Sequence, residues 1–245
     1  MQDKETKLLP LSKGFNIYVS KRHIFGTDAV LLANFSRAHK YDKICELGTG
    51  CGIIPVLICI KEFYGKIDAV DIQSDAIEMF NRTIELNKLN DKINAVNIDL
   101  KLYEEDKGKY DLVICNPPYK VAGGGILNDD EGKTIARHES LCTMEDIIKK
   151  ANELLKFGGR VCICQKPERL SDVICYMRSM KIEPKILRLV AKRNTTAPWL
   201  FLIDGKKGAK PGIVIEKNLI IEDDDGNYST EVKSYYEDFF NIQDC

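Results

Sequence analysis

From Lys43 onward the chain alternates short apolar runs with stretches of helical period, and that alternation leaves few folds open. KICEL (43–47), KIDAVD (66–71), INAVNIDL (93–100), the DLVIC part of YDLVICNPPY (110–119) and GRVCICQK (159–166) read as strands. Between them, IIPVLICIKEFY (53–64), DAIEMFNRTIELNKL (75–89) and MEDIIKKANELLKF (144–157) space their apolar residues as helices do, and Arg169 to Met180 continues the pattern. Strand and helix in regular succession predict an α/β fold with a parallel, doubly wound sheet. Ligands of such sheets sit at the carboxyl ends of the strands, so the chemistry is expected there.

The remaining sequence narrows the class. At 245 residues the chain is expected to bury one main core. The opening MQDKETK is polar, and the longest apolar run, Ile53 to Ile60, is too short to span a bilayer; the reading is a cytoplasmic protein without a membrane segment. A formal net charge of −1 gives no overall field for nucleic acid, so any such binding needs a local patch. Residues 181–210 hold eight Lys or Arg against two acids, and residues 216–245 hold nine acids against two Lys. The basic stretch, with Lys21 and Arg22, is the candidate phosphate-facing rim; a solvated hairpin neutralised by Glu222 to Asp225 is the alternative. Nine cysteines form an odd number, and Cys45, Cys115, Cys162 and Cys164 lie in strand-like runs, which reads as buried thiols. Cys162 and Cys164 share one strand face, but no second pair offers four-ligand spacing, so no metal site is expected.

Glu46-Leu47-Gly48-Thr49-Gly50-Cys51-Gly52 follows a strand and opens a helix, where glycine permits a tight turn and close approach of a ligand to backbone. Asp71 ends the next strand, where a carboxylate can accept both hydroxyls of a ribose, and Asp99 ends the third. Three acids at three successive strand ends suit a ligand with ribose and amino groups and repel a pyrophosphate. That favours S-adenosylmethionine over a dinucleotide. Taken singly, such a turn or a strand-end Asp is also ordinary loop and cap chemistry; in register with the strand pattern they form a constellation.

Asn116-Pro117-Pro118-Tyr119 directly follows the fourth strand, and two prolines with an aromatic are a poor way to extend a core. The tetrapeptide resembles the (D/N/S)-P-P-(Y/F/W) signature of methyltransferases acting on amino nitrogens conjugated to a ring or carbonyl. Such nitrogens are weak nucleophiles because their lone pair is delocalised. Acceptors that bind the N–H groups assist transfer; the Asn116 side-chain oxygen and the Pro117 carbonyl suit that role, while Tyr119 offers a stacking ring. Neither a general base nor a metal is required. The segment from Lys120 to Leu141, with Gly123, Gly124 and Gly125, reads as a long substrate-covering loop.

Together the motifs over residues 43–165 resemble the core of class I Rossmann-like methyltransferases. The resemblance implies a mostly parallel seven-stranded sheet closed by a C-terminal antiparallel hairpin, which PKILRLVA and WLFLID on either side of Lys192 to Pro198 would form. It divides the chain into an N-terminal extension, 1–42, packing on a methyltransferase domain, 43–245. Phe25 to Ala33 (FGTDAVLLA) and Ala136-Arg137-His138-Glu139 further resemble the bacterial adenine-N6 methyltransferases that modify valine tRNA beside the anticodon. Position by position, that resemblance implies Glu46 at the methionine amino group of S-adenosylmethionine, Gly48 and Gly50 against it, Asp71 on its ribose and Asp99 near its adenine. Thr27 and Asp28 would border the methionine end, and Asn116, Pro117, Pro118 and Tyr119 would hold the target base of a tRNA. Arg137 and His138 are candidate phosphate contacts.

Three other functions share part of this pattern. Protein-glutamine N5-methyltransferases acting on release factors also use N-P-P-Y, but they carry a helical domain before the core, where this chain has some forty residues. A ribosomal guanine-N2 methyltransferase would need the same acceptors. A catalytically inactive cofactor-binding or RNA-binding module would have no reason to keep Asn116 and both prolines.

Overall fold

In the computed structural model, described over residues 6–118 and 142–240, strands β3 (Lys43–Leu47), β4 (Lys66–Asp71), β5 (Ile93–Asn97), β6 (Tyr110–Cys115), β7 (Leu155–Gln165), β8 (Ile182–Ala191) and β9 (Pro198–Lys207) build one sheet. Their order is β8-β9-β7-β6-β3-β4-β5, parallel from β7 through β5, with β9 inserted antiparallel between β7 and β8. This is the expected α/β sheet with its terminal hairpin. Two two-residue strands, β10 (Val214–Ile215) and β11 (Leu219–Ile220), add to β8 and make the sheet nine-stranded. They are too short to leave a period in the sequence.

Alternate residues of each strand feed two cores. Ile44, Ile67, Leu112, Cys162 and Cys164 face one side, with α1 (Thr27–Phe35), α2 (Ile53–Ile60), α3 (Ser74–Leu86) and α6 (Thr230–Phe239). Cys45, Val70, Val113, Val161 and Ile163 face the other, with α4 (Met144–Leu154) and α5 (Leu170–Ser179). Every residue of α2 is buried, because α1 covers the side the sheet does not.

The N-terminal residues form a separate hairpin of β1 (Lys7–Pro10) and β2 (Asn16–Val19). Its backbone hydrogen bonds reach α3: Asn87 accepts from Asn16 N at 2.9 Å and donates to Asn16 O at 2.7 Å, and Thr83 accepts from Tyr18 N at 3.1 Å.

Two boundaries differ from the sequence reading. The helix expected to Phe157 ends at Leu154 and passes directly into β7. Lys207 donates to the carbonyls of Asn152 (2.5 Å) and Leu155 (2.8 Å), so a cation from β9 satisfies the helix end where no local signal marks it. The third strand stops at Asn97, and Asp99 caps a 3-10 turn at Leu100–Leu102 by accepting from Lys101 N at 2.9 Å.

Candidate functional site

The strand ends are brought level by register. Leu47 pairs with Val70 and Cys115, Asp71 with Asn97, and Cys115 with Ile163. Gly48, Asp71, Asn97, Asn116 and Cys164, one residue further on, therefore lie level along one edge of the sheet, at the carboxyl ends of the strands.

At its centre the turn after β3 is stitched to β4: Gly48 N and Thr49 N both donate to Val70 O, at 2.8 and 3.0 Å. Gly50 N donates to Asp71 Oδ2 at 2.8 Å, and Gln73 N to Asp71 Oδ1 at 2.9 Å. Each Asp71 oxygen thus spends one lone pair on backbone and has a second with which to accept from a ligand. The glycines divide by what they do. Gly48 (φ 77°) and Gly50 (φ 56°) are in the left-handed region, and a Cβ on either would meet no heavy atom within 4 Å; the space beside them is open to a ligand. Gly52 (φ 80°) is a packing glycine, since a Cβ there would lie 2.1 Å from the buried ring of Phe80.

Glu46, on β3, is only 2% exposed and accepts a short hydrogen bond from the Thr49 hydroxyl. Burial pushes its carboxyl up to about 8; the Thr49 hydroxyl pulls it down, and the nearby Asp71 charge adds to the rise. A buried carboxyl held this far from its ordinary value is a candidate functional group. The donor set therefore fits S-adenosylmethionine: a buried acid for an ammonium, a strand-end carboxylate for hydroxyls, and an uncluttered glycine turn.

On the other side of β3, Asn116 is half-buried, Pro117 buried and Pro118 exposed. The Asn116 carboxamide donates from Nδ2 to Asp28 Oδ2 at 3.1 Å, and its Oδ1 accepts from Cys164 Sγ at 3.0 Å. Asp28 lies in the first turn of α1, with Gly26 at the N-cap position. The Tyr236 hydroxyl donates to Thr27 Oγ1 at 3.2 Å. The fold thus brings Thr27, Asp28 and Asn116 together, and separately Glu46, Gly50 and Asp71. Tyr119, the Lys120 to Leu141 loop and within it Arg137 and His138 lie outside the described residues.

Three residues of this edge had no site role in the sequence reading: Thr49, Gln73 and Cys164. Cys164 alone had a usable signal, because its strand neighbours β6 and its side chain shares a face with Cys162.

The basic stretch carries ion pairs with the acidic C-terminal segment. Lys192 and Arg193 both pair with Glu222 (3.1 and 3.0 Å), and Arg188 forks onto Glu231 with two bonds of 2.7 Å. Glu222 and Glu231 of the acidic C-terminal segment thus pair with three of the eight cations of the stretch. Arg22 pairs with Asp75 at 3.2 Å. Among the described residues no three His, Cys, Asp or Glu side chains converge as a metal site would need, and no helix is long and apolar enough to cross a membrane.

Comparison with known proteins places this geometry in a family. The methyltransferase small domain family matches residues 14–180. The tRNA1(Val) (adenine(37)-N6)-methyltransferase of Parabacteroides distasonis is 27% identical over 218 residues, covering 88% of this chain and 90% of that protein. The enzyme of the same name from Tolumonas auensis is 24% identical, covering 88% and 89%. Among solved structures, a predicted O-methyltransferase from Agrobacterium tumefaciens superposes with a TM-score of 0.69 at 18% identity, over 86% of this chain and 95% of that one. That likeness is one of fold.

Proposed function

The chain belongs to the methyltransferase small domain family, and from that premise we propose that it methylates adenine N6 in a tRNA, beside the anticodon, with S-adenosylmethionine as donor. The observation that carries the reading is the placing of an oriented carboxamide, Asn116, at the end of the strand next to the open glycine turn. The names of the relatives that match most of the chain point to tRNA as the polymer and to adenine N6 as the atom.

Bound S-adenosylmethionine supplies an electrophilic methyl group. In this reading Glu46 receives the ammonium of its methionine end, with Thr27 and Asp28 bordering that end. Gly48 and Gly50 let it lie against the backbone, Asp71 accepts from the ribose hydroxyls, and Asp99 accepts from the adenine amino group. Asn116 Oδ1 and the Pro117 carbonyl accept from the two N–H groups of the target. That draws the nitrogen out of planarity and turns its lone pair toward the methyl carbon. Pro118 stiffens the segment, so the acceptors need no reorganisation, and Tyr119 stacks on the extruded base. The methylated amino group is acidic enough to give its proton to water. A loop base is already partly unpaired, which lowers the cost of extrusion.

Labelled S-adenosylmethionine offered with separate pools of tRNA, ribosomal RNA and release factor, followed by digestion of the product, tests the assignment. N6-methyladenosine from the tRNA pool is expected; label in guanosine or glutamine would overturn it.

Asp71→Ala is expected to weaken cofactor binding by about 1 to 3 kcal/mol, through loss of hydrogen bonds to the ribose from a carboxylate 7% exposed. Unchanged affinity by calorimetry would remove Asp71 from the site.

Glu46 gives a pH dependence. With its carboxyl raised to about 8, it is mostly protonated near neutrality, yet an ammonium needs the carboxylate. Binding must then release a proton, and cofactor affinity is expected to rise roughly tenfold between pH 6 and pH 7. In the free protein the same shift acts on stability with the opposite sense: stability is greatest below 4.5 for this group and falls as pH rises toward about 8. Glu46→Gln should bind weakly with a flat profile. A wild-type affinity independent of pH over this range would contradict the assignment.

A further inference from the structure

An asparagine carboxamide has a donor end and an acceptor end of nearly equal size, and only one of its two orientations presents oxygen to a substrate amino group. Taking Asn116 as the acceptor of the target N–H, the reading above on which this inference rests, we propose that Asp28 is the positioning residue that sets the orientation of the Asn116 carboxamide.

An ionised carboxylate accepts and cannot donate, so the end of Asn116 that faces Asp28 Oδ2 at 3.1 Å must be the NH2 group. The oxygen is then turned the other way, where the Cys164 thiol donates to it at 3.0 Å. Donor and acceptor ends each have a partner of the matching sense, whereas the flipped carboxamide would set its oxygen against the carboxylate. Donation to an anion also draws electron density toward Oδ1 and makes it a stronger acceptor.

Asp28 is itself held. It sits in the first turn of α1 behind Gly26, where a Cβ would fall 2.6 Å from Asp28 Oδ1, so Gly26 gives the carboxylate its room. The adjoining Thr27 bonds to Tyr236, whose ring stacks between Tyr228 (4.8 Å) and Phe240 (5.3 Å), and Phe240 stacks on Phe25 at 6.3 Å. This aromatic column braces the turn that carries Asp28.

Asp28→Asn keeps size and shape but lets either end of Asn116 face it. We expect kcat on tRNA to fall at least tenfold beyond any change in affinity for S-adenosylmethionine, whose methionine end Asp28 borders, with the KM for tRNA within twofold of wild type. Asn116→Asp sets two carboxylates face to face and should be nearly inactive. Combining D28N with N116D restores one donor opposite one acceptor, and this pair should regain at least tenfold over N116D alone. A purely structural role for Asp28 gives additive losses instead. Additive losses, wild-type kcat in D28N, or a loss of cofactor affinity that accounts for its fall in turnover would each overturn the inference. Wild-type turnover in N116A would overturn the acceptor reading itself, and so separates that failure from a failure of Asp28 alone.

Discussion

Asn116→Ala is expected to lower methyl transfer at least a hundredfold, about 2.7 kcal/mol of transition-state stabilisation, while cofactor affinity stays within a few-fold of wild type. The separation follows from position. Asn116 ends β6 and bonds to Asp28 and Cys164, whereas Glu46, Gly50 and Asp71 form their own hydrogen-bonded group across β3 and β4. Turnover on tRNA and calorimetry with S-adenosylmethionine read the two halves independently. A variant keeping more than a tenth of turnover would show the carboxamide contributing less than about 1.4 kcal/mol, too little for a group said to hold the reacting nitrogen.

Gly52→Ala should act on the fold instead of the chemistry. The residue is left-handed at φ 80°, which costs a side-chain-bearing residue about 1 kcal/mol, and its new methyl would collide with the fully buried Phe80. Overpacking of a filled core costs typically 1–3 kcal/mol, so a total loss of roughly 2–4 kcal/mol is expected in denaturant unfolding. Gly48→Ala carries the backbone strain alone, because the space beside it is open, and should lose less. Equal losses in the two variants would mean that Phe80 moves aside freely and that Gly52 is not the packing glycine of the loop.

The strands β3, β4, β6 and β7 were legible because they are largely buried on both faces, which leaves apolar runs too dense to read otherwise, while β5 at the sheet's edge exposes Asn94 and Asn97. Gly48, Gly50 and Asp71 could be placed for the same reason, since each lies at or just beyond the end of a readable strand. What escaped was held by distant partners. The end of α4 depends on Lys207, and the hairpin of β1 and β2 is short and leans on Thr83 and Asn87 of α3. The basic stretch 181–210 was visible as composition, but its pairing with Glu222 and Glu231 depends on how the final segment returns to β8, which no local pattern encodes. Asp28 was singled out from the FGTDAVLLA resemblance; its bond to Asn116 spans 88 residues and has no periodic trace.

Those spans also set an order of assembly. The strands β3 to β6 and the glycine turn are all specified once the chain has reached Cys115, and β3 to β5 pair through short crossovers. The Asn116 carboxamide waits for Cys164, 48 residues later, and the turn beneath Asp28 is braced only when Tyr236, 209 residues after Thr27, has docked. Closing such loops costs entropy before any contact repays it, so non-local contacts form late. On the proposed assignment, a nascent chain has every residue of the nucleoside-binding half well before the partners of Asn116, and α6 completes the bracing of the turn that carries Asp28.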